Sequence, residues 1–434
     1  MIPDSFYYIL ISIVIFSILL AWLKSGTIFN PVSFFTIWWG SFIFISSINL
    51  VGIRTPRIGT FWVLLTALAL YSIGSVTFLK SRSSGHRIEP VFITSHVTGE
   101  ENFLLKIFLY AQIVTTVILI VFLRKSIGIL SSLDAGTYRF LVYTDAGIFE
   151  GHKLLLNYYI RPSVFTAMFV TMAGVYLGSI KKKYFILAVM NIFIYSTVIL
   201  GRSSVILLIM CSVIGLAYMY DSGLIKIKKR YVALILVPFI FLVSMSVFRR
   251  SQYLANKSGM EIVARYFIWY LTAPFSAFDY FLNTYREGID YDFTHFRSVL
   301  GGIEEFLEPL IKKFYPKFSQ INNSSYSIIA EFRDFGGPAT HHNSHYTMLF
   351  TFYKDAGVIG VALFSYFFGA LTSSVYNSFR NNTHLFNLII LILLTYLSIM
   401  GTTRWELMFA WPWTIIILSF LVTKKFIFEK KVQI

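Results

Sequence analysis

Apolar residues in this chain do not follow the every-third-or-fourth stripe of a soluble helix. They come as long runs, each closed by a short polar or basic cluster. Eleven runs stand out, at positions 5–23, 31–51, 58–79, 103–123, 163–177, 184–200, 204–218, 231–248, 357–376, 385–400 and 408–422. The longer ones have the roughly 20 residues that a helix needs to cross a bilayer. No run alternates as a strand does, no segment repeats another, and no low-complexity linker intervenes. The pattern predicts an all-α polytopic membrane protein. It has one integral membrane domain over 1–434, with about 11 transmembrane helices and two large polar segments, 124–162 and 249–356. The first run has no basic lead-in and no small-residue cleavage site, so a retained helix is expected there and not a signal peptide.

Composition agrees with this. The chain is 56% hydrophobic and only 13% charged, with a mean hydropathy of +0.68; a soluble domain carries about a quarter charged residues. The one cysteine, Cys211, falls inside an apolar run. It excludes an intramolecular disulfide and reads as a small core residue.

The net charge of +16 becomes a topology signal once it is divided by side. With the C-terminal "KKFIFEKK" in the cytoplasm, the clusters "KSRSSGHR", "KKK" at 181–183 and "KIKKR" at 226–230 also fall inside, and the N-terminus lies outside. The inner segments then carry 17 basic and 5 acidic residues, the short and medium outer ones 9 and 5, and the large outer loop 11 of each. Three quarters of the excess charge is thus accounted for by orientation, and no nucleic-acid footprint is needed. The cations also differ in kind, with 13 Lys and 4 Arg inside against 7 Lys and 13 Arg outside. Arginine grips phosphate oxygens through a planar fork of N–H donors. An outer face rich in arginine points to a phosphorylated ligand, against a plainer reading of compositional drift and surface ion pairs. Within the large outer loop, 261–283 is long enough to span. It carries Glu261, Arg265 and Asp279, and a crossing there would invert everything after it, so an interfacial or re-entrant helix is expected.

The densest titratable cluster is "HHNSHYT" at 341–347, just after the turn-forming "GGP" and just before a span. His341 and His345 have the i, i+4 spacing of a metal pair, but no cysteine is near and the next acid downstream is Asp355. Three readings stay open: a metal site, a hydrogen-bonding or general-base set that includes His342 and His345, and plain solvated loop histidines. Arg202 in "ILGRSSV", Arg249 and Arg250 in "SVFRRSQ", and Arg404 in "TTRWELMFAW" all fall at outer span ends. Each is also explained by snorkelling to headgroups. Arg265 and Arg333, in the large outer loop, complete the phosphate-site candidates. In "DAGVIG" at 355–360, Gly357 and Gly360 permit close backbone approach, and Asp355 suits a helix N-terminus as a cap. The sequence holds no GxSxG elbow, Walker A loop, dinucleotide fingerprint or CxxC pair; "DYD" at 290–292 matches a sugar-transferase DxD in letters only.

Taken together, the spans, "GRSSVI" at a hairpin, the "VFRR" exit, the long aromatic outer loop and "NSHYTMLFTFYKDAGVIG" resemble the O-antigen polymerases, the Wzy-type oligosaccharide repeat-unit polymerases of the bacterial inner membrane. The local match runs over 343–360, with weaker support at 201–204. The resemblance implies a GT-C-like membrane glycosyltransferase with interfacial helices in its large periplasmic loop. It implies polymerisation of undecaprenyl-diphosphate-linked oligosaccharide by inverting transfer without metal or other cofactor. The bilayer is its setting, a chain-length regulator and a flippase are its accessory partners, and nucleic acid is not one. His345 and His342 would be the catalytic candidates, and Arg202, Arg249, Arg250, Arg265, Arg333 and Arg404 would meet the lipid diphosphate. The related O-antigen ligases place a histidine at a fixed distance before a Gly-x-x-Gly entering a span. Here Gly357 and Gly360 match, but Tyr346 stands at the histidine position and His345 one residue earlier. This offset favours polymerase over ligase, which is the nearest alternative. A lipid-linked oligosaccharide transporter is less favoured, because no internal repeat is visible and one loop is very long. A membrane acyltransferase is less favoured because the histidines fall outside.

Overall fold

The computed structural model describes residues 2–50, 52–81, 103–133, 137–138, 141–142, 155–225, 229–248, 259–284, 293–321, 333–336 and 346–423, with 157, 229–234, 245–248, 259–266 and 284 by their backbone. Thirteen α-helices run through these residues: α1 (Asp4–Ser25), α2 (Pro31–Ser47), α3 (Ile58–Phe78), α4 (Phe103–Leu130), α5 (Arg161–Tyr176), α6 (Lys182–Val198), α7 (Ser203–Asp221), α8 (Lys229–Phe248), α9 (Gly259–Thr284), α10 (Gly301–Phe314), α11 (Met348–Asn381), α12 (Leu385–Met400) and α13 (Ala410–Thr423). No β-strand occurs among them; an isolated antiparallel bridge joins Ile53 to Gly336. A helix stands at each of the eleven apolar runs. Five of them (α1, α3, α4, α7 and α11) are long and apolar enough to cross a membrane, and α2, α12, α13 and the 235–244 stretch of α8 are shorter apolar helices. The chain is an all-α membrane protein of two compact units.

The first unit comprises 1–87, 260–382 and 393–413. Its centre is the seam between α3 and α11, where small residues let two backbones meet. A Cβ on Gly74 would lie 2.1 Å from the Tyr366 carbonyl oxygen, and one on Gly369 would lie 2.2 Å from that of Tyr71. Such contact maximises van der Waals packing between helices whose surroundings are as apolar as their own side chains. Ser75 and Ser373 share a hydroxyl hydrogen bond across the seam. Both ends of α3 are tied by distant residues. The Asn377 amide donates to the Phe78 carbonyl at 2.6 Å and accepts from Lys80 N–H at 3.2 Å, closing the C-terminus. Asp279 of α9 accepts from Arg57 N–H at 2.8 Å and Thr60 Oγ1 at 2.6 Å, closing the N-terminus. An aromatic stack, Trp39 on Phe35 on Tyr71, fills the space toward α12, where Trp39 Nε1 donates to the Ser398 carbonyl at 2.9 Å.

The second unit comprises 88–259, 383–392 and 414–434. Buried Gln112 and Thr115 of α4 reach Ser163 near the start of α5, while Thr116 bonds Asn191 of α6 at 2.8 Å, so polar side chains join three otherwise apolar helices. Helices α5, α6 and α7 each end in a paired closure of the last carbonyls. At two of them the left-handed position is glycine, Gly178 (φ 73°) and Gly223 (φ 72°). At the end of α6 it is Leu200 (φ 45°), with Leu200 N–H on the Thr197 carbonyl at 3.2 Å and Gly201 N–H on that of Ser196 at 3.0 Å. A side chain in that region costs about 1 kcal/mol, and burial of Leu200 offsets it.

Candidate functional site

Of the segment that carries the sequence resemblance, residues 348–360 form the first half of α11 and the break in it. Thr347 starts the helix, and Met348 N–H donates to the Gly401 carbonyl at 2.7 Å, docking this start against the connection that follows α12. The helix then breaks at Ala356 (φ −157°, ψ 32°) and Gly357 (φ 63°, ψ −147°). Gly357 occupies a region that only glycine enters readily. Gly360 is needed for a different reason, since a Cβ there would lie 2.3 Å from the Phe352 carbonyl oxygen, folded back by the break. Close backbone approach, expected of both glycines, is thus found at Gly360 alone, and Gly357 is required by its backbone conformation instead.

Asp355 behaves differently from the expected cap. It is fully buried, and its carboxylate leaves its own helix to hold the 293–300 turn. Oδ1 accepts from Ser298 N–H at 2.9 Å and from the Thr294 hydroxyl; Oδ2 accepts from Val299 N–H at 2.8 Å. The carbonyls of Lys354 and Asp355 accept from the N–H groups of Thr294 and His295. A buried carboxylate is tolerated only when bonded this fully. The turn it holds sets Phe293 against Gly357, and the Val299 carbonyl takes Trp405 Nε1 at 2.9 Å. It also carries Arg297, paired with Glu304 at 2.8 Å, whose hydrogen bonds raise the arginine's pKa. Lys354, a buried cation next to this carboxylate, had no role in the sequence reading.

Of the sequence-derived site residues, Arg404 and Arg333 belong to the first unit. Arg404 Nε bonds Glu406 Oε1 at 2.7 Å, and the guanidinium lies 4.7 Å from the centre of the Phe409 ring. Glu406 also accepts from Trp411 Nε1 at 3.2 Å. The charge of Arg404 is therefore offset locally by a nearly buried carboxylate, a pairing the sequence reading overlooked although the two residues are adjacent but one. Arg333 stacks 4.2 Å from the ring centre of Tyr280 in α9 and donates to its hydroxyl. Contacts run on from there: Phe281, next to Tyr280, packs against Phe350 in the first turn of α11 at 4.6 Å, and that turn is docked at Gly401, three residues before Arg404. Arg202 belongs to the second unit, directly after the Leu200 turn and at the start of α7. Arg265 lies on α9, with its side chain outside the described residues. His342, His345, Arg249 and Arg250, and with them the metal reading of His341 and His345, fall outside the described residues.

The expected helix over 261–283 is α9. It is buried on all sides over residues 271–279. Trp269 Nε1 donates to Gly336, which bridges Ile53; Ser276 donates to the Arg54 carbonyl at 2.6 Å; Asp279 binds Arg57 and Thr60. Three successive levels of α9 therefore follow the α2–α3 connection. Asp279, read from sequence as a charge that keeps this helix out of the bilayer, is a structural acceptor.

The family models contain no match to this chain, and neither the curated proteins nor the solved structures yield a similar protein.

Proposed function

We propose that the chain is a GT-C-like membrane glycosyltransferase that polymerises undecaprenyl-diphosphate-linked oligosaccharide repeat units on the periplasmic face of a bacterial inner membrane. Eleven helices cross the bilayer, with the N-terminus periplasmic, the C-terminus cytoplasmic, and 124–162 and 249–356 outside. The observation that supports this reading best is the glycine-dependent break in α11, separated from the histidine segment by only the first half of that helix. The break gives the second half of α11 its own N-terminus, and a helix N-terminus carries partial positive charge. A departing diphosphate needs that kind of stabilisation. Arg265 and Arg333 of the same unit add cations, and Arg404, its charge offset by Glu406, adds directed N–H groups; Arg202, Arg249 and Arg250, in the second unit, are assigned to the lipid diphosphate by the resemblance. His345, with His342 as the second candidate, accepts the proton of the attacking sugar hydroxyl or orients it. The glycan then passes from its lipid diphosphate to the outermost sugar of the incoming unit with inversion, and polyprenyl diphosphate leaves.

The Gly-x-x-Gly at 357–360 is shared with the ligases, so the test must separate the two. A deletion strain is examined for its lipopolysaccharide ladder. Loss of a polymerase leaves one repeat unit on the lipid core; loss of a ligase leaves none, with polymer retained on its carrier lipid; an unchanged ladder ends both readings. Complementation with His345→Ala should fail to restore long chains, the general-base contribution being about 10²–10⁴-fold. Arg202→Lys should restore them in part, since the charge remains without the fork.

A further inference from the structure

Helix α10 places its apolar residues at Ile303, Phe306, Leu307, Leu310, Ile311 and Phe314, spaced i, i+3, i+4, i+7, i+8 and i+11. Such a stripe is ordinarily the buried face of a helix. Here it is the open one: Phe306 is 41% exposed, Leu310 57% and Phe314 79%. Phe296 and Leu300, just upstream, extend the patch. Two further observations say what covers it. The first is position. Gly302 lies flush on the backbone that leads into α13, since a Cβ there would be 2.3 Å from the Phe409 carbonyl oxygen, and Glu305 accepts from Ala410 N–H at 2.8 Å. Trp411 and Trp413 stand at the same point, their indoles bonded to Glu406 and the Leu407 carbonyl. α10 therefore starts where an apolar helix begins, beside the partly exposed indole of Trp413, a side chain that favours a membrane boundary. The second is charge. Glu304 is held by Arg297 and Ile321 N–H, Glu305 by α13, and Glu308 by Lys312 and Gln320. The acids face inward to protein, while Lys312, Lys313 and Lys317 are exposed at the far end.

We infer that α10 is a membrane-surface helix: its Phe306–Leu310–Phe314 face lies in the headgroup boundary of the bilayer, and its C-terminal lysines meet anionic phospholipid. The occupant is lipid and not protein, because the face adjoins a membrane boundary and the charge that the helix end leaves exposed beyond the Lys312–Glu308 pair, Lys313 and Lys317, is basic. The inference does not depend on what the protein catalyses.

The test uses the full chain with Cys211→Ala as background, adding Leu310→Cys or Lys313→Cys and a bimane label, reconstituted in phosphatidylcholine nanodiscs with or without phosphatidylglycerol. The label at 310 should be quenched by lipids carrying a nitroxide high on the acyl chain and shielded several-fold from aqueous acrylamide relative to the label at 313. Leu307→Cys gives the same reading should Leu310→Cys disturb folding. On bilayers containing phosphatidylglycerol, each of Lys313 and Lys317 should shift the docking equilibrium roughly fivefold, an effect lost on mutation to glutamine. Equal acrylamide access at 310 and 313 overturns the inference. So does shielding at 310 that appears only when a disc holds two copies, which would assign the face to a second chain.

Discussion

Replacing Gly369 by alanine adds one methyl group at one of the tightest points of the first unit. The new Cβ would sit 2.2 Å from the Tyr71 carbonyl oxygen and 3.0 Å from Ser75 N, where ordinary contact begins at 3.4 Å. Neither neighbour is a side-chain tip that can swing aside, so α3 and α11 must part by about an ångström. Overpacking of this kind costs about 1–3 kcal/mol. The parting also stretches the Ser75–Ser373 bond and, two turns along, the Asn377 bond to Phe78; interhelical hydrogen bonds in membranes are worth about 0.6 kcal/mol each. Alanine's better helix propensity returns about 1 kcal/mol, leaving a net loss of roughly 1–3 kcal/mol. Titration with SDS in mixed micelles, followed by circular dichroism, measures it. Gly128→Ala in α4 is the control, because a Cβ there meets nothing within 4 Å. It should leave stability level or raise it by up to about 1 kcal/mol. If the two variants unfold at the same SDS fraction, the account of the α3–α11 seam is wrong.

Asp355→Asn removes an acceptor for Val299 or Ser298 N–H, so exchange of those amides should rise by roughly tenfold or more, matching the 1–3 kcal/mol of an unsatisfied buried group; unchanged exchange refutes the latch. Gly178→Ala has open space but φ 73°, and should cost about 1 kcal/mol through backbone strain alone; a neutral result by SDS titration would contradict the helix closure drawn for α5. Asp279→Ala strands Arg57 N–H and the Thr60 hydroxyl at the start of α3, so a loss of about 2–4 kcal/mol is expected; thermal scans in detergent that match wild type would show the cap to be idle.

The helices were legible because each apolar run is long and sharply closed, as at Asn30–Pro31, where Asn30 Oδ1 accepts from Ser33 N–H at 3.0 Å and proline takes the first helical position. The role of Gly360 was legible, because close approach leaves only glycine, whereas that of Gly357 was not, since its need is for a backbone conformation and not for space. What the sequence did not show was partnership. Gly74 and Gly369 lie nearly three hundred residues apart, and neither sits in a glycine-spaced motif. Asp355 and Asp279 look like ordinary caps or surface charges until the loops they bind are placed. Helix α10 was hidden inside a segment that reads as a loop, because two of its first three positions are Gly301 and Gly302 and it contains Pro309, although its apolar spacing was there to be counted. The arginines were read from their position at span ends alone, which says nothing of a neighbour such as Glu406 or Tyr280.

The tying of α3 by residues far downstream bears on how the protein is made. The carbonyl of Phe78 waits for Asn377, 299 residues later, and Tyr71 waits for Ser398. At roughly 5–20 residues per second, a ribosome takes about 15–60 s to cover that interval. Throughout it, the nascent α3 sits in the membrane with its Gly74 groove open and both ends uncapped, ready to accept any small-residue helix that drifts past. Order of synthesis alone thus makes this stretch the most exposed to mispairing during insertion, and a holdase within the bilayer that shelters α3 until α11 emerges would serve this chain more than one that acts after release.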